Sequence, residues 1–237
     1  MQSQPRFYKA HASSDAQIVG PMQDRSGLRA RGFILVGRIM DIAPVILEYE
    51  AVRLSPIRRE HWLELWEIAK DSLDDIFRWI PYSMRSEEDF QSWMAKALAE
   101  QERGESLVFV TAARSSGEPA GSTRFMNIDR ANRRVEIGST WIAPKWQRTA
   151  INTEAKYLML RHAFETWGCI RVELKTDALN QRSRNAILRI GAKEEGTLRR
   201  HLITWTERVR DTVYFSILDH EWPEVKAKLE ARLSQHV

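Results

Sequence analysis

The chain has 237 residues, of which 43% are hydrophobic, so it can bury a substantial core within one domain. Its formal charge of +4 comes from acidic and basic residues that are interspersed, a pattern that disfavours a dedicated nucleic-acid-binding protein. The single cysteine excludes an internal disulfide and is typical of a reduced, cytoplasmic setting, and the six histidines show no spacing that predicts a metal site.

Residues 1–39 differ in composition from the rest of the chain. Serine and glycine residues interrupt them, basic residues outnumber acidic ones, and the apolar run Phe33–Val36 is too short to span a membrane. We expect a disordered extension here, explained by an over-extended start upstream of Met40, with a targeting peptide as the alternative. Residues 40–237 are then expected to form one domain.

The first half of this domain predicts an α/β arrangement. Ser86 and Asp89 have the spacing of a helix capping box, and residues 115–118 are typical of a hairpin turn. The predicted elements, in chain order, are a strand at Val52–Leu54, a helix through Trp62–Ala69, a helix through Phe90–Ala97, and strands at Leu107–Ala113 and Ala120–Ile128.

The centre of the domain predicts strand, helix, strand and helix in succession. Val135–Ile142 is a strand, and the apolar stripe that follows it at helical spacing ends at Gly168. A second strand spans Val172–Thr176 and leads to a helix that Asn180 opens and Gly191 closes.

Two closing strands and a terminal helix are predicted beyond this unit. The strands are expected at Glu194–His201 and Val213–Leu218, and the amphipathic helix at Trp222–Leu233 carries Pro223 in its first turn. The sheet is therefore expected to be mixed, with an antiparallel first half.

A phosphate-sized site is predicted where the first central helix begins. The chain enters this helix through Asn152 and Thr153, so unpaired backbone N–H groups should cluster at Gln147–Asn152. Because such groups lie at the positive end of the helix dipole, a helix start of this kind binds an anion, usually phosphate. The alternative is an ordinary turn between a strand and a helix.

These motifs resemble those of the GNAT superfamily of N-acetyltransferases, and within it the branch that acetylates the N-termini of ribosomal proteins. The superfamily's phosphate loop reads Gln/Arg-x-x-Gly-x-Gly/Ala, and residues 147–152 occupy it with both glycines replaced. The motifs Thr153–Lys156, Arg171–Glu173 and Asn180-x-x-Ser183 follow in the order that the branch shows. The resemblance implies a GNAT-like α/β fold with a mixed, mostly antiparallel central sheet flanked by helices.

The resemblance also implies acetyl-CoA as co-substrate, without a metal, and a set of residues that bind it. Asn180 would contact the coenzyme, and Ser183 would lie at its sulfur. The alternative for both is a plain helix-opening role that satisfies backbone N–H groups. The other expected coenzyme contacts come mainly from backbone groups at Ile142, Gln147, Arg148, Thr149, Ala150, Ile151, Asn152 and Thr153.

Glu136 is the candidate general base. It lies on the central strand and is expected to share its face with Gly138 and Thr140, whose small side chains leave room for a ligand. A carboxylate among apolar neighbours can take a proton, directly or through water, from an ammonium group that must become neutral to attack a thioester. The alternative is an exposed strand glutamate that pairs with Arg134 or Arg124.

Two other groups of residues have two interpretations each. An aromatic loop between the first two helices either packs into the core or forms the wall of the acceptor site, as the resemblance implies: Phe77, Trp79, Pro81 and Tyr82. A basic cluster either is a solvated surface or contacts coenzyme phosphates, with nucleic acid as a remote third: Arg182, Arg184, Arg189, Arg199 and Arg200.

We therefore expect an acyltransferase that passes the acetyl group of acetyl-CoA to a primary amine by direct attack. Glu136 would take the amine proton through water, backbone N–H groups near Thr140–Ile142 would bind the thioester oxygen, and Ser183 would assist the thiolate. The alternatives are a non-catalytic acyl-CoA-binding or protein-interaction module on the same fold, and a basic nucleic-acid binder. The acceptor stays open among a protein N-terminus and several small amines, as does the choice between monomer and homodimer.

Overall fold

One eight-stranded sheet carries the fold, with helices packed on both of its faces. The computed structural model describes residues 40–236, so the expectations for residues 1–39 lie outside the described part. The strands are β1 (Leu47–Glu48), β2 (Val52–Pro56), β3 (Leu107–Ala113), β4 (Pro119–Asp129), β5 (Arg134–Ile142), β6 (Arg171–Asp177), β7 (Lys193–Ile203) and β8 (Val209–Leu218). The helices are α1 (His61–Ala69), α2 (Leu73–Ile76), α3 (Glu87–Glu102), α4 (Ile151–Arg161), α5 (Gln181–Arg189) and α6 (Trp222–Leu233).

The strand order is β1-β2-β3-β4-β5-β6-β8-β7, and among these described strands only β5 and β6 pair in parallel. Consecutive antiparallel strands need only short turns, whereas a parallel pair needs a crossover, which α4 supplies between β5 and β6. The structure confirms the expected mixed, mostly antiparallel sheet. It adds the two-residue strand β1, which no sequence pattern indicated.

The larger core lies between the sheet and helices α4, α5 and α6. Phe125 packs against Trp167, whose ring centroid is 4.5 Å away. The indole Nε1 of Trp167 donates to the backbone oxygen of Asp41 over 2.7 Å, so the start of the described chain is attached to this core. Cys169 is buried beside these residues, and its burial raises the pKa of the thiol to about 12.

The second core fills the opposite face, under α1, α2 and α3. Phe77, Phe90 and Trp141 meet there, with centroids of Trp141 at 5.4 Å from Phe77 and 6.2 Å from Phe90. Phe77 of the aromatic loop is therefore a core residue, whereas Tyr82 of the same loop is 38% exposed. Burying one such ring stabilises the fold by about 1.5–3 kcal/mol.

A side-chain cap marks the start of α3. The Ser86 hydroxyl accepts the Asp89 N–H over 3.2 Å at the start of α3, as the capping-box spacing predicts. The Asp89 carboxylate also accepts from the Ser83 hydroxyl and from the Arg85 N–H. Across the described residues, no helix is both long enough and apolar enough to cross a membrane.

Candidate active site

The parallel pairing of β5 with β6 stops after three residue pairs, the last of which joins Glu136 to Glu173. Beyond that point β5 pairs only with β4, and β6 pairs only with β8. The two strands therefore leave the β5–β6 opening, which we define as the gap between Ile137–Ile142 and Leu174–Asp177. Backbone groups that face this gap have no strand to pair with, which makes the opening suited to an extended polar ligand.

A β-bulge interrupts β5 inside the opening. The pairing register with β4 shifts at Thr123, and Ser139 adopts a positive φ of 45°. A bulge adds one residue to one strand, so the side chains beyond it point to the opposite faces from those that simple alternation predicts. Such bulges are frequent beside active sites.

The bulge overturns one expectation about the face of Glu136. Thr140 does not share that face, because its hydroxyl lies 2.6 Å from Nζ of Lys156 on α4, across the sheet. Trp141 takes the place expected for an alternating neighbour and packs under α1 to α3. Gly138, which precedes the bulge, keeps the expected orientation toward Glu136.

Glu136 is buried at the edge of the opening, with 2% of its surface exposed. Its Oε2 accepts from the amide of Asn127 over 2.6 Å and pairs with Nζ of Lys175 over 2.8 Å. Its Oε1 has no hydrogen-bond partner among residues 40–236 and lies 3.0 Å from the position of a Cβ on Gly138. One carboxylate oxygen is thus anchored and the other faces a space that glycine leaves.

The two arginines considered as alternative partners of Glu136 are engaged elsewhere. Arg124 binds Glu100 of α3 over 2.7 Å. Arg134 binds Asp129 over 3.1 Å and Glu173 over 3.3 Å. The carboxylate is paired, as the alternative supposed, but with Lys175 and in a buried place.

The loop from β5 to α4 is held by side-chain contacts to its own backbone. Gln147 Nε2 donates to the Ile142 oxygen over 2.9 Å, and the Thr149 hydroxyl donates to the Trp146 oxygen over 2.7 Å. Arg148 has a φ of +64°, a conformation that is uncommon for a residue with a side chain and that clusters at functional sites.

The helix begins earlier than the sequence pattern predicts. Its N-cap is Ala150, and the Ile151 N–H donates to the Thr149 hydroxyl over 3.4 Å. Asn152 lies inside the first turn and does not cap the helix, because the Thr149 hydroxyl already takes the exposed N–H. Its Oδ1 is instead a buried atom without a partner in the described chain.

Several backbone N–H groups at this helix start have no acceptor among residues 40–236, namely those of Arg148, Thr149, Ala150, Asn152 and Thr153. They lie at the positive end of α4, which has 11 residues. An anion with several oxygens satisfies such donors, so the loop fits the pyrophosphate of a coenzyme. Loss of both loop glycines is compatible with this, because the contacts come from the backbone.

The start of α5 lies at the same edge of the sheet, because the carboxyl ends of parallel β5 and β6 point the same way. Asn180 caps this helix, with its Oδ1 accepting the Ser183 N–H over 3.0 Å. The Ser183 hydroxyl is half-buried and has no hydrogen-bond partner in the described residues. In the basic cluster, Arg184 is engaged with Glu194 over 3.0 Å, whereas Arg182 and Arg189 are exposed.

The face that carries Glu136 also holds the aromatic loop against β8. Arg210 Nη1 donates to the Trp79 oxygen over 3.0 Å, and the Trp205 N–H donates to the Pro81 oxygen over 3.0 Å. The buried carboxylate of Asp177 accepts a hydrogen bond from Arg208. The contacts of Arg210 and Trp205 hold the aromatic loop beside the β5–β6 opening.

Three polar residues of the site escaped the sequence analysis: Asn127, Lys175 and Lys156. Lys175 shares a strand face with Arg171 and Glu173, but its contact with Glu136 depends on the β5–β6 register. Lys156 left a local signal, since it is a lone lysine within the buried stripe of α4. Its burial lowers the pKa of the ammonium to about 7.

Comparison with known proteins identifies relatives among the acetyltransferases. A sequence model described as the acetyltransferase (GNAT) domain matches residues 51–193, which is more than half of the chain. The Bacillus subtilis (strain 168) protein YdaF, provisionally named a ribosomal N-acetyltransferase, is 36% identical over 106 residues. That match covers 45% of this chain and 57% of YdaF, so it spans little more than half of that relative.

Solved structures share the fold over most of the chain. A GCN5-related N-acetyltransferase from Brucella melitensis superposes with a TM-score of 0.73 at 32% identity, over 81% of this chain and 86% of that one. Mycobacterium smegmatis RimJ in complex with CoA-disulfide gives a TM-score of 0.68 at 26% identity, over 80% of this chain and 93% of that one. The chain belongs to the GNAT family of acetyltransferases.

Proposed function

We propose that the chain transfers the acetyl group of acetyl-CoA to a primary amine by direct attack, with Glu136 as the general base. The observation that supports it most is the unpartnered Oε1 of Glu136 at the point where β5 and β6 separate. A base must lie within reach of the proton that it removes, directly or through one water. The anchored Oε2 holds the carboxylate in place for this task.

The coenzyme would bind with its pyrophosphate on the free N–H groups of the loop and with its thioester in the opening. The amine nitrogen forms a bond to the thioester carbon, and the carbon–sulfur bond breaks. Before the attack, the ammonium of the acceptor gives one proton to Glu136 through water, so that the nitrogen attacks as a neutral amine. The second proton, which the nitrogen loses as the amide forms, goes to the departing thiolate with help from Ser183. N–H groups near Thr140–Ile142 would hold the oxygen that gains charge.

The charges beside the opening favour an acceptor with one ammonium group over a polyamine. Lys175, Arg208 and Arg210 outnumber the two carboxylates that they contact, Glu136 and Asp177. A polycation would therefore meet like charge beside the opening. The name of YdaF adds the N-terminus of a ribosomal protein as the first acceptor to test.

Glu136→Gln tests the proposal. Glutamine keeps the shape and the contact with Asn127 but cannot take a proton, so turnover at neutral pH should fall roughly 10²–10⁴-fold. Calorimetric affinity for acetyl-CoA should stay within about threefold, because the helix start that binds phosphate is untouched. Ser183→Ala should cost less, about tenfold, since water can protonate a good leaving group.

Glu173→Gln is the matched control. Glu173 is the cross-strand partner of Glu136 on the neighbouring strand, but it pairs with Arg134 and Arg171 away from the opening. Its replacement should leave turnover within about threefold. Full activity of Glu136→Gln at every pH would reject this base and direct attention to Tyr214, which faces Lys175 across β6 and β8. If the chain binds acetyl-CoA but releases no thiol in the presence of any amine, the result would support the non-catalytic binding module instead.

A further inference from the structure

Lys156 is a buried lysine that the proposed chemistry does not use. Its Nζ donates to the Thr140 hydroxyl over 2.6 Å and to the Thr123 hydroxyl over 2.9 Å. The two hydroxyls are themselves 2.8 Å apart, so the three groups form a closed triangle. Thr123 belongs to β4 and Thr140 to β5, and Lys156 joins both strands to α4.

Within residues 40–236, no carboxylate pairs with this ammonium group. Lys156 is buried, with 6% of its surface exposed, and desolvation lowers the pKa of its ammonium group without a contribution from a neighbouring charge. From α4, β4 and β5, the groups that face it are the two threonine hydroxyls, with the thioether of Met159 3.7 Å from the Thr123 oxygen. An unpaired buried charge is costly, and an apolar side chain of the same length would avoid that cost.

The triangle lies at an interruption of the pairing between β4 and β5. The register shift between β4 and β5 falls at Thr123, next to the positive φ of Ser139. At this bulge the regular ladder is interrupted, so the hydroxyls and the ammonium provide the cross-strand contacts that the backbone lacks. The bulge is also the segment whose N–H groups would hold the thioester oxygen.

We propose that Lys156 is a positioning residue, which fixes the bulge of β5 through Thr140 and thereby aims the N–H groups that bind the thioester oxygen. This rests on the proposed function for the site, because it assigns the bulge to the thioester. The ammonium also places positive charge under the opening, on the side where the oxygen gains negative charge.

Lys156→Met tests this role. Methionine fills similar space without charge, so the variant should melt at the same temperature or higher. Its kcat should fall roughly ten- to hundredfold because misplaced N–H groups lose transition-state stabilisation, while KM for the amine and affinity for CoA stay within about threefold. Lys228→Met is the control, since Lys228 is 72% exposed on α6, and it should change neither quantity.

A double-mutant cycle shows whether Lys156 acts through Thr140. Thr140→Val removes the hydroxyl from an exposed residue, so it should fold even if Lys156→Met does not. The combined variant should lose no more activity than Lys156→Met alone, because both changes break the contact between Lys156 and Thr140. Thr140→Ser keeps the hydroxyl and should retain activity. Multiplicative losses in the double variant would overturn the assignment.

The pH dependence supplies a readout that a purely structural lysine would not give. Because burial lowers the folded pKa to about 7 from 10.5, the ammonium is lost as the pH rises through 7. The ratio of parent to Lys156→Met kcat should therefore be largest near about pH 6 and fall toward about pH 9. A ratio that stays constant over this range would contradict a role for the charge.

The pH dependence of thermal stability tests the burial of Lys156 without the need for an acceptor. Between pH 7 and 10.5 the unfolded chain binds more protons at Lys156 than the folded one, so parent stability rises with pH in this window. The melting-temperature advantage of Lys156→Met should therefore shrink as the pH rises.

Calorimetry tests the role of Lys156 even if no amine is acetylated and the proposed function fails. The Lys156→Met variant should lose the parent's preference for acetyl-CoA over CoA. An unchanged preference would overturn the inference.

Discussion

At the scale of single residues, Glu136 owes its free oxygen to the residue beside it. A Cβ on Gly138 would lie 3.0 Å from Oε1 of Glu136 and 2.8 Å from the sulfur of Met126. Gly138 does not have a positive φ, so the backbone itself tolerates a side chain. The glycine is therefore required by the space beside the carboxylate rather than by the chain conformation.

Gly138→Ala should close that space. The methyl group displaces the water or amine that reaches Oε1, and we expect kcat/KM to fall roughly ten- to hundredfold while the fold is kept. Steady-state kinetics and thermal melting measure the two effects. Met126→Ala with Gly138→Ala relieves the contact with sulfur but not the one with Oε1, so it should restore stability without restoring activity. If the double variant recovers activity, the loss of kcat/KM in Gly138→Ala comes from the contact with Met126 and not from the one with Oε1.

At the scale of elements, the start of α4 is a site because three neighbouring features coincide. The Thr149 hydroxyl accepts the Ile151 N–H, Arg148 turns the backbone at a positive φ, and the remaining N–H groups have no acceptor in the described part of the chain. The first turn is also attached to the sheet, because the Glu154 carboxylate accepts the Ala51 and Val52 N–H groups over 2.7 and 3.0 Å. Burial raises the pKa of that carboxyl.

Ala150→Asp should separate helix stability from anion binding. Aspartate is a good N-cap residue, so the melting temperature should stay or rise, whereas its charge facing the pyrophosphate should weaken acetyl-CoA binding by about 1–3 kcal/mol. Isothermal titration calorimetry measures the affinity. Ala150→Asn is the neutral control with the same shape and should bind nearly as the parent does. If Ala150→Asp binds acetyl-CoA as tightly as the parent does, the coenzyme does not bind at this loop.

At the scale of the whole molecule, residues 40–236 contain the sheet, both cores and every site residue described above. Met40 is buried with 4% of its surface exposed, and Asp41 accepts the Trp167 indole N–H. These two contacts connect the first described residues to the core under α4.

We propose that a chain beginning at Met40 keeps the melting temperature and the acetyl-CoA affinity of the full chain, because both cores and the site remain complete. A chain beginning at Val45 is the comparison. It lacks the Met40 side chain and the Asp41 acceptor, and its free energy of unfolding should fall by about 2–5 kcal/mol. Denaturant unfolding measures both. A comparable loss in the chain beginning at Met40 would show that residues 1–39 contribute.

Periodicity and capping within the chain were sufficient to predict most elements. The alternation at Val172–Thr176 and the Asn180 cap correspond to β6 and α5, and the Ser86 cap corresponds to the start of α3. These signals are local, since a strand repeats every two residues and a cap acts within three. The start of α4 was misjudged because Asn152 and Thr149 are both capping residues, and the competition between them is settled by the turn at Arg148.

The sequence by itself determined the order of the elements, the GNAT motifs and the position of Glu136 on a central strand, because each depends on residues that are close in the chain. Only the tertiary structure decided which contacts the side chains of the site make. The partners of Glu136, the orientation of Thr140 and the burial of Lys156 depend on strand register. A single extra residue at a bulge reverses every face beyond it, and neither spacing nor composition encodes that reversal.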